Sequence, residues 1–262
     1  MKEKLNIIKV GGAVVEDQSS LEALLSAFAS LPGRKVLVHG GGRAATRIAS
    51  RLGIESVMVE GRRVTDAETL KVVTMVYGGL VNKSVVAQLQ ARGVNALGLT
   101  GADLGYMLAD RRPPKKVAQE MVDYGFVGDV KKVDASILAD LIARGVVPVL
   151  APLTHDGKGS MLNTNADTIA GSAAKALAQY FDVTLTFCFE KKGVLSNPDD
   201  EESVIPAITR ESFARLVNEG VVAGGMIPKL ENSFAAIDGG VSKVVITRHD
   251  QLGKDSGTTV TA

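Results

Sequence analysis

Two glycine clusters and a lysine stand in positions that suit phosphate binding. Gly11–Gly12 and Gly40–Gly42 each follow a short apolar run, and Lys9 comes two residues before the first cluster. Glycine lets backbone amides approach an anion closely, and the N-terminus of a following helix adds partial positive charge. Taken alone, either cluster is slightly better explained as a tight turn between a strand and a helix than as a phosphate-binding site. Together, and with Lys9 beside one of them, they favour phosphate binding.

A second lysine follows two more glycines, in the segment Gly224-Gly-Met-Ile-Pro-Lys229. Pro228 suits the first position of a helix, which places Lys229 in the first helical turn. A cation there opposes the helix dipole, and a bound anion would relieve that conflict. The alternative is a first-turn lysine that simply points into water.

Two further segments carry side chains that could recognise a carboxylate. Gly61-Arg-Arg-Val-Thr-Asp66 presents two guanidinium groups just before a helix, and the planar fork of arginine matches a carboxylate. Taken alone, the two arginines are equally typical of a solvated surface pair. Asn163-Thr-Asn-Ala-Asp167 precedes another helix, which Asn165 or Asp167 could cap. Capping accounts for one of these three polar side chains and not for all of them.

Other nucleotide-binding motifs were compared with these segments. A P-loop is absent from the sequence, because glycine, four residues and then Gly-Lys-Ser/Thr occurs nowhere. A dinucleotide-binding pattern is present in Gly40-x-Gly42-x-x-Ala45, with Glu60 near the position that would bind ribose. Such a unit usually opens its domain, whereas here a strand, a glycine turn and a helix come first. This position counts against the dinucleotide pattern but does not exclude it. An NAD-linked oxidoreductase stays open as an alternative from another class.

The composition is that of a globular chain without a strong electrostatic partner. Of 262 residues, 45% are hydrophobic and 23% are charged, which suffices for a sizeable core, and the net charge is +1. Neither nucleic acid nor an anionic membrane is indicated as a partner, and we find no secretory signal and no apolar stretch of bilayer length. The lone Cys188 can form no internal disulfide, which favours a cytoplasmic protein. The three histidines are far apart in sequence, so no histidine-based metal site is expected.

The elements that must position these residues alternate between strand and helix. Apolar runs predict strands, and apolar residues at helical spacing predict helices. Residues 101–133 are expected to be rich in hairpins, and 154–160 to form a polar loop. Strands are predicted at 5–10, 35–39, 94–99, 146–151, 183–189 and 243–247, and helices at 19–31, 43–52, 66–92, from 134, at 166–180, at 209–219 and from 228.

This alternation indicates an α/β fold, with a mainly parallel open sheet covered by helices on both faces. The alternation restarts near residue 180. We therefore expect an N-terminal lobe at 1–180 and a C-terminal lobe at 181–262.

Taken together, the motifs resemble those of acetylglutamate kinases, which belong to the amino-acid kinase class. The resemblance covers essentially the whole chain, and the set is far more specific than any single motif. Related kinases that act on aspartate, carbamate, glutamate or UMP generally lack this combination. The matching segments, in the order found in the family, are Lys9-Val-Gly-Gly12, Val38-His-Gly-Gly-Gly42, Gly61-Arg-Arg-Val-Thr65, Asn163-x-Asn-x-Asp167 and Gly225-Met-Ile-Pro-Lys229.

The resemblance implies a fold and a reaction. The fold would be a three-layer α/β/α sandwich, the amino-acid kinase fold, with an amino-acid-substrate lobe followed by a nucleotide-binding lobe. The reaction would be the ATP-dependent phosphorylation of the γ-carboxylate of N-acetyl-L-glutamate in arginine biosynthesis. Mg²⁺ would be carried by the ATP phosphates, without a protein ligand of its own.

The resemblance also implies roles for individual residues. Lys9 and Lys229 would flank the transferred phosphoryl group and offset its charge, while Asp167 would orient both lysines. The backbone amides of Gly41 and Gly42 would hold the phosphoryl oxygens. Such a site fits phosphoryl transfer, which needs positioning and charge stabilisation more than a covalent intermediate.

The remaining implied contacts concern the amino-acid substrate and the nucleotide. Arg63 and Asn163 would bind the α-carboxylate of the substrate. Four glycines would border the phosphates and the nucleotide, namely Gly11, Gly12, Gly193 and Gly225.

Two positions depart from the family pattern. Where relatives often have Asp-Val-x-Gly after the strand at 183–189, this chain has Glu190-Lys-Lys-Gly193. Arg62 stands where many relatives have a neutral residue. A bulged strand would turn Arg62 into the pocket and favour N-succinyl-L-glutamate, which carries an extra carboxylate. A regular strand would leave Arg62 in solvent and favour the acetyl substrate.

The expected partners are small-molecule substrates and a second copy of the chain. Arginine-controlled relatives carry an additional N-terminal helix that builds larger rings, whereas the first strand begins here near Leu5. A homodimer that arginine does not inhibit is therefore expected. The remaining alternative is a non-catalytic sensor of an amino acid or a nucleotide, and such a protein would be expected to lack one of the two lysines.

Overall fold

The structure, a computed structural model, describes residues 2–224, 226–254 and 256–262. Short apolar runs form the strands, as the sequence predicts, and several of them are fully buried. The strands are β1 (Lys4–Val10), β2 (Arg34–His39), β3 (Met58–Val59), β4 (Arg62–Arg63), β5 (Ala96–Leu99), β6 (Met107–Arg111), β7 (Lys115–Val117), β8 (Glu120–Val122), β9 (Gly128–Val133), β10 (Val147–Leu150), β11 (Leu153–His155), β12 (Met161–Asn163), β13 (Asp182–Phe189), β14 (Ala207–Ile208), β15 (Lys243–Arg248) and β16 (Thr258–Val260).

Side-chain caps mark where several of the helices begin. Asp17, Asp66, Asp134, Asn165 and Thr209 each accept a hydrogen bond from a backbone amide of the first turn. The helices are α1 (Gly12–Glu16), α2 (Gln18–Ser30), α3 (Gly42–Arg51), α4 (Ala67–Gln90), α5 (Ala135–Ala143), α6 (Ala166–Leu177), α7 (Arg210–Asn218) and α8 (Met226–Asp238).

A single eight-stranded sheet runs through the molecule in the order β14-β16-β15-β13-β1-β2-β10-β5. The six strands from β15 to β5 are parallel, and β16 pairs antiparallel to β15. Successive residues of β1 face opposite sides of the sheet. Ile7 packs in the core that includes Ile169 of α6, and Ile8 packs in the core that includes Leu24 of α2. Both faces are therefore covered, which confirms the α/β/α sandwich.

A smaller sheet and two short ribbons stand beside the main sheet. The smaller sheet has the strand order β12-β11-β6-β9, and the ribbons are β3–β4 and β7–β8. The hairpin-rich character predicted for 101–133 is confirmed. The loop predicted at 154–160 is wrong only at its first two residues, which belong to β11. Strands β11 and β12 pair as a hairpin with a turn at 156–160. Buried Leu153 and Leu162 hold this hairpin against the protein.

Some predicted boundaries are also corrected. Helix α8 begins at Met226, so Pro228 is its third residue and not its first. Proline is still tolerated there, because first-turn amides have no partner within the helix. Strands β14 and β16 were not predicted, since runs of two and three residues give little periodic signal. The division near residue 180 stays a prediction, while β1 and β13 pair across it from Lys4–Asp182 to Val10–Cys188.

Helix α4 spans 24 residues, and the middle of it, Thr74–Val81, is π-helical. By length and composition alone this helix is able to cross a membrane, so the expectation that no apolar stretch approaches bilayer length is wrong here. However, one side of α4 is buried in the protein core, with Val72, Val76 and Val85 each about 1% exposed. A helix buried in a protein core can have the same length and composition, so no membrane role follows for α4.

A buried histidine links α4 to the end of β2. His39 is fully buried, and its Nδ1 lies 2.8 Å from the carbonyl oxygen of Gly40. Its Nε2 lies 3.0 Å from Nδ2 of Asn82 in α4, and the same Nδ2 donates to the carbonyl oxygen of Val149 in β10. Because a carbonyl oxygen only accepts, Nδ1 carries the proton and Nε2 accepts one from Asn82. The ring is therefore neutral, and burial lowers its pKa from 6.5 to about 4.

This shift predicts a loss of stability in mild acid. The unfolded chain takes up a proton on His39 below pH 6.5, whereas the folded protein takes it up only near pH 4. His39 should therefore remove about 3 kcal/mol from the free energy of unfolding as the pH falls from 6.5 to 4. Urea unfolding of wild type and His39→Gln at several pH values would measure this contribution as the difference between the two pH dependences. Equal pH dependences would contradict the prediction.

Candidate active site

A cavity of about 490 Å³ opens at the carboxyl ends of the central strands, where open α/β sheets bind their ligands. Both glycine clusters line it. Most of the residues singled out in the sequence line the same cavity, namely Gly11, Gly12, Gly41, Gly42, Arg63, Asn163, Gly193 and Lys229. Asp167 lines a smaller recess beside it, together with Lys229. Gly225 lies outside the residues that the structure describes.

The two glycine turns pack directly on each other, backbone against backbone. A Cβ atom on Gly40 would lie 3.0 Å from the amide nitrogen of Gly12, and one on Gly12 would lie 3.7 Å from the amides of both Gly41 and Gly42. Gly41 precedes α3 and offers no side-chain cap, and the first turn of α3 contains no acidic residue. The first amides of a ten-residue helix are thus left for an anion, which supports the phosphate-binding interpretation.

Two lysines and one carboxylate meet beside these turns. Lys9 Nζ lies 2.8 Å from Asp167 Oδ1, and both side chains are largely buried. Lys229 Nζ lies 3.7 Å above the centre of the Phe189 ring, and Lys9 Nζ lies 5.3 Å from the same centre. Burial lowers the pKa of Lys229, an effect that Asp167 opposes and Lys9 adds to. Lys9 is paired with Asp167, whereas Lys229 feels the charge of that carboxylate without an ion pair among the described residues. The surplus positive charge is suited to a phosphoryl group.

Arg63 is a buried cation that has only neutral partners. It is 7% exposed, and it donates to Ser56 Oγ at 2.6 Å, to Gly42 O at 2.9 Å and to Thr46 Oγ1 at 2.8 Å. Within residues 2–224, 226–254 and 256–262, no carboxylate forms an ion pair with it. A buried charge without a counter-ion is costly, so an anionic ligand in the cavity would stabilise it.

Asn163 lies at the end of β12, next to this arginine. Its Nδ2 donates to Thr65 Oγ1 at 2.9 Å, and Thr65 Oγ1 donates to the carbonyl oxygen of Arg63 at 2.9 Å. The cap of α6 is Asn165, which accepts from the amide of Asp167 at 2.8 Å. Capping therefore occupies Asn165 and leaves Asn163 and Asp167 to the cavity and its recess.

Arg62 behaves differently from either expectation. Strand β4 pairs with β3 in regular antiparallel register, without a bulge. Even so, Arg62 is half-buried and lines the cavity together with Arg63. Burial lowers its pKa, and the nearby charge of Arg112 adds to this effect. The expectation that a regular strand leaves Arg62 in solvent is wrong. The short β3–β4 ribbon borders the cavity, and the long side chain of Arg62 reaches the wall of the cavity.

Two cavity residues were missed in the sequence. Tyr77 projects from the π-helical part of α4, and a Cβ atom on Gly41 would lie 2.9 Å from its Cδ1. Burial raises the pKa of Tyr77, so its hydroxyl stays protonated. Phe189 ends β13 and contacts both lysines. Phe189 could have been found as an aromatic residue at the carboxyl end of a central strand. Tyr77 could not, because nothing in the helical spacing of α4 marks a π-helical turn.

Gly193 has a structural reason to be glycine. A Cβ atom there would lie 2.8 Å from both Thr258 Oγ1 and Val204 Cγ1. The next amide, that of Val194, donates to Thr258 Oγ1 at 2.8 Å. Gly193 thus lets this loop pack on β16, and it also lines the cavity.

No group of three or more His, Cys, Asp or Glu side chains that could hold a metal ion occurs among the residues that the structure describes. Asp167, the carboxylate nearest to the two lysines, is already paired with Lys9. The residues present therefore fit anionic phosphates, and they offer a metal ion no set of protein ligands.

Known proteins match this chain over nearly its full length. The family model of the amino acid kinase family matches residues 4–248. An acetylglutamate kinase from Phocaeicola vulgatus is 66% identical over 99% of both chains, and one from Cytophaga hutchinsonii is 55% identical over 95% of this chain and 93% of its own. The crystal structure of smu.665 from Streptococcus mutans UA159 superposes with a TM-score of 0.78 at 28% identity, and the match covers 98% of both chains.

The resemblance seen in the motifs is confirmed over the full length, and the dinucleotide-type glycine pattern belongs to a kinase fold and not to an NAD-linked oxidoreductase. The chain is a member of the amino acid kinase family, and relatives that are 55% and 66% identical to it over nearly the full length are acetylglutamate kinases.

Proposed function

We propose that this protein transfers the γ-phosphoryl group of ATP to the γ-carboxylate of N-acetyl-L-glutamate, a step of arginine biosynthesis. The observation that carries the proposal is one cavity with two neighbouring binding features. Surplus lysine charge and uncapped helix amides suit phosphates. A buried arginine without a counter-ion among the described residues, bonded to the carbonyl oxygen of Gly42, suits a carboxylate. The relatives named acetylglutamate kinase support the choice of acceptor.

The phosphate side stabilises the charge of the moving phosphoryl group. Lys9 and Lys229 flank it, Asp167 orients the lysines, and the amides of Gly41 and Gly42 hold its oxygens. An oxygen of the γ-carboxylate attacks the γ-phosphorus while the bond to the bridging oxygen breaks and ADP leaves. The carboxylate is already ionised at neutral pH, so no general base is needed.

The other groups bind and orient the substrates. Arg63 and Asn163 bind the α-carboxylate, which supplies the counter-charge that the guanidinium lacks. Three glycines border the nucleotide and its phosphates in this proposal, namely Gly11, Gly12 and Gly193, and the role that the resemblance implies for Gly225 stays a prediction. Mg²⁺ bound to the phosphates of ATP would supply further neutralisation of their charge. A cytoplasmic location is part of the proposal and agrees with the single, buried Cys188.

The test is a coupled assay of ADP release with glutamate, N-acetylglutamate, N-succinylglutamate, aspartate and UMP, in which hydroxylamine traps the acyl phosphate. We expect ADP release and hydroxamate only with an N-acylglutamate. Lys9→Ala and Lys229→Ala should each lower kcat on the order of a hundredfold, because each removes a donor to the developing charge. Lys71→Ala is the matched control, since Lys71 lies on the surface of α4 and pairs with Glu68.

Circular dichroism and thermal unfolding should show both lysine variants folded. Wild-type turnover in either variant would refute the role assigned to that lysine. Binding of an amino acid or nucleotide without any ADP release would favour the non-catalytic sensor instead.

N-succinyl-L-glutamate is a second candidate acceptor, and the position of Arg62 favours it. Arg62 lines the cavity beside Arg63, and the described residues provide no carboxylate at ion-pair distance from it. Arg112, whose charge lies near Arg62, is already paired with Asp129. An extra carboxylate on the acyl group would supply the missing counter-charge.

The acyl group is tested by the ratio of kcat/KM for the succinyl and acetyl substrates. If Arg62 binds the succinyl carboxylate, wild type prefers that substrate, and Arg62→Leu lowers the ratio by roughly tenfold or more because a charge-assisted hydrogen bond is lost. Arg62→Lys keeps the charge and should retain part of the preference. An acetyl preference in wild type, or a succinyl preference that Arg62→Leu leaves unchanged, would end this candidate.

We also infer that the protein is a homodimer formed at the β5 edge of the sheet. The outer side of α4 exposes Met75 and Leu80, which are 56% and 58% exposed, and β5 itself exposes Leu97. Strand β5 ends the main sheet, so it has a free edge beside this apolar patch. A two-fold axis at the edge would bury the patch against its own copy.

Light scattering should give about twice the chain mass of 27.4 kDa. Replacing both Met75 and Leu80 by glutamate should shift the protein towards monomer, because it places charges in the apolar patch. Met121→Glu serves as control, since Met121 is 66% exposed on the β7–β8 ribbon, away from this edge. A monomeric or hexameric wild type would contradict the inference.

A further inference from the structure

We propose that His39 is a positioning residue that holds the glycine turn 40–42 in place, and that Asn82 of α4 fixes His39 in turn. The inference rests on the proposed function, because the amides of Gly41 and Gly42 are taken to bind the transferred phosphoryl group. His39 itself does not line the cavity and touches no substrate. It acts on the reaction only through the backbone that it holds.

The glycine turn needs an external constraint. Three successive glycines have more backbone freedom than any other tripeptide, so the direction of their amides is not fixed by their own sterics. The Nδ1–H of His39 donates to the carbonyl oxygen of Gly40 at 2.8 Å. This bond orients the peptide between Gly40 and Gly41, and with it the amide of Gly41 that points towards the phosphoryl site.

His39 is held from behind by a second bond. Asn82 Nδ2 lies 3.0 Å from Nε2 of His39 and 3.0 Å from the carbonyl oxygen of Val149 in β10. Asn82 is 1% exposed and follows directly after the π-helical segment of α4. The asparagine thus joins the helix, the sheet and the histidine, and it selects the tautomer in which Nδ1 carries the proton.

The fit around Asn82 leaves no spare room. A Cβ atom on Gly98 of β5 would lie 1.8 Å from Asn82 Oδ1 and 2.9 Å from its Cγ. Gly98 is therefore glycine so that Asn82 can reach His39. Tyr77 presses on the other side of the glycine turn, against Gly41. The turn is thus held between a hydrogen bond from His39 and the ring of Tyr77.

Two substitutions of His39 separate the two bonds. Asparagine places its Nδ2 where Nδ1 of histidine stands, so His39→Asn keeps the bond to Gly40 and loses Asn82. Glutamine reaches the position of Nε2, so His39→Gln keeps the contact with Asn82 and loses Gly40. We expect His39→Gln to lower kcat by roughly tenfold to a hundredfold, and His39→Asn to stay within about threefold of wild type. In both, kcat should change more than either KM, because the lost contact acts on the transition state.

A remote substitution tests the same link without changing His39. Gly98→Ala should push Asn82 away from the histidine and lower kcat, because the ring of His39 then loses the bond that selects its tautomer. An asparagine at position 39 has no tautomer to select, so it does not need Asn82, and residue 98 itself does not line the cavity. Gly171→Ala in α6 is the matched control, because a Cβ atom there would meet nothing within 4 Å. Equal kcat in His39→Gln and His39→Asn, with thermal midpoints lowered alike, would show a purely structural histidine and overturn the proposal.

Nuclear magnetic resonance of the wild-type protein decides the case if the variants fail to fold. The nitrogen spectrum of the three histidines should show one neutral ring with the proton on Nδ1 across pH 6 to 8. A proton on Nε2 would overturn the proposal. The nitrogen spectrum is recorded without substrate. It therefore tests the positioning role of His39 independently of whether the protein has the proposed kinase activity.

Discussion

The level pairing of β1 with both of its neighbours is the constraint on which the site depends. Val10 stands opposite His39 of β2 and opposite Cys188 of β13. The residues that follow these positions therefore lie together at the carboxyl ends of the three strands. Gly40 meets Gly12 there, backbone to backbone, and Phe189 arrives beside them. A shift of β1 by one residue against both neighbours would turn Lys9 to the other face of the sheet, away from Asp167 on α6.

The site is built around positive charge that the protein does not neutralise. Asp167 pairs with Lys9 and leaves Lys229 without an ion pair among the described residues, and Arg63 has only neutral partners there. Such an arrangement lowers the stability of the free protein, and the bound anions offset that cost. Phe189 lowers this cost at the two lysines, because the face of its ring attracts both ammonium groups.

How far the sequence predicts this structure depends on how local each feature is. The glycine turns, the lysines and the helix caps were predicted because each follows from a few adjacent residues. Arg62 was placed wrongly, because strand periodicity says which face a side chain leaves from and not how far it reaches. The link between His39 and Asn82 was not predicted at all, since it joins residues 43 positions apart through the tertiary fold. Whether residues 1–180 and 181–262 act as separate lobes stays a prediction.

Helix α4 shows why the parts missed in the sequence matter most for the chemistry. In a regular α-helix residues four apart share a face, whereas a π-helical turn, with bonds between residues i and i+5, brings residues five apart closer to one line. Tyr77 and Val81 both face Gly41, and Asn82, five residues after Tyr77, is in position to reach His39. The outer side of the same segment carries the exposed Met75 and Leu80. One distorted stretch of helix therefore contacts the glycine turn on its inner side and presents the proposed dimer surface on its outer side.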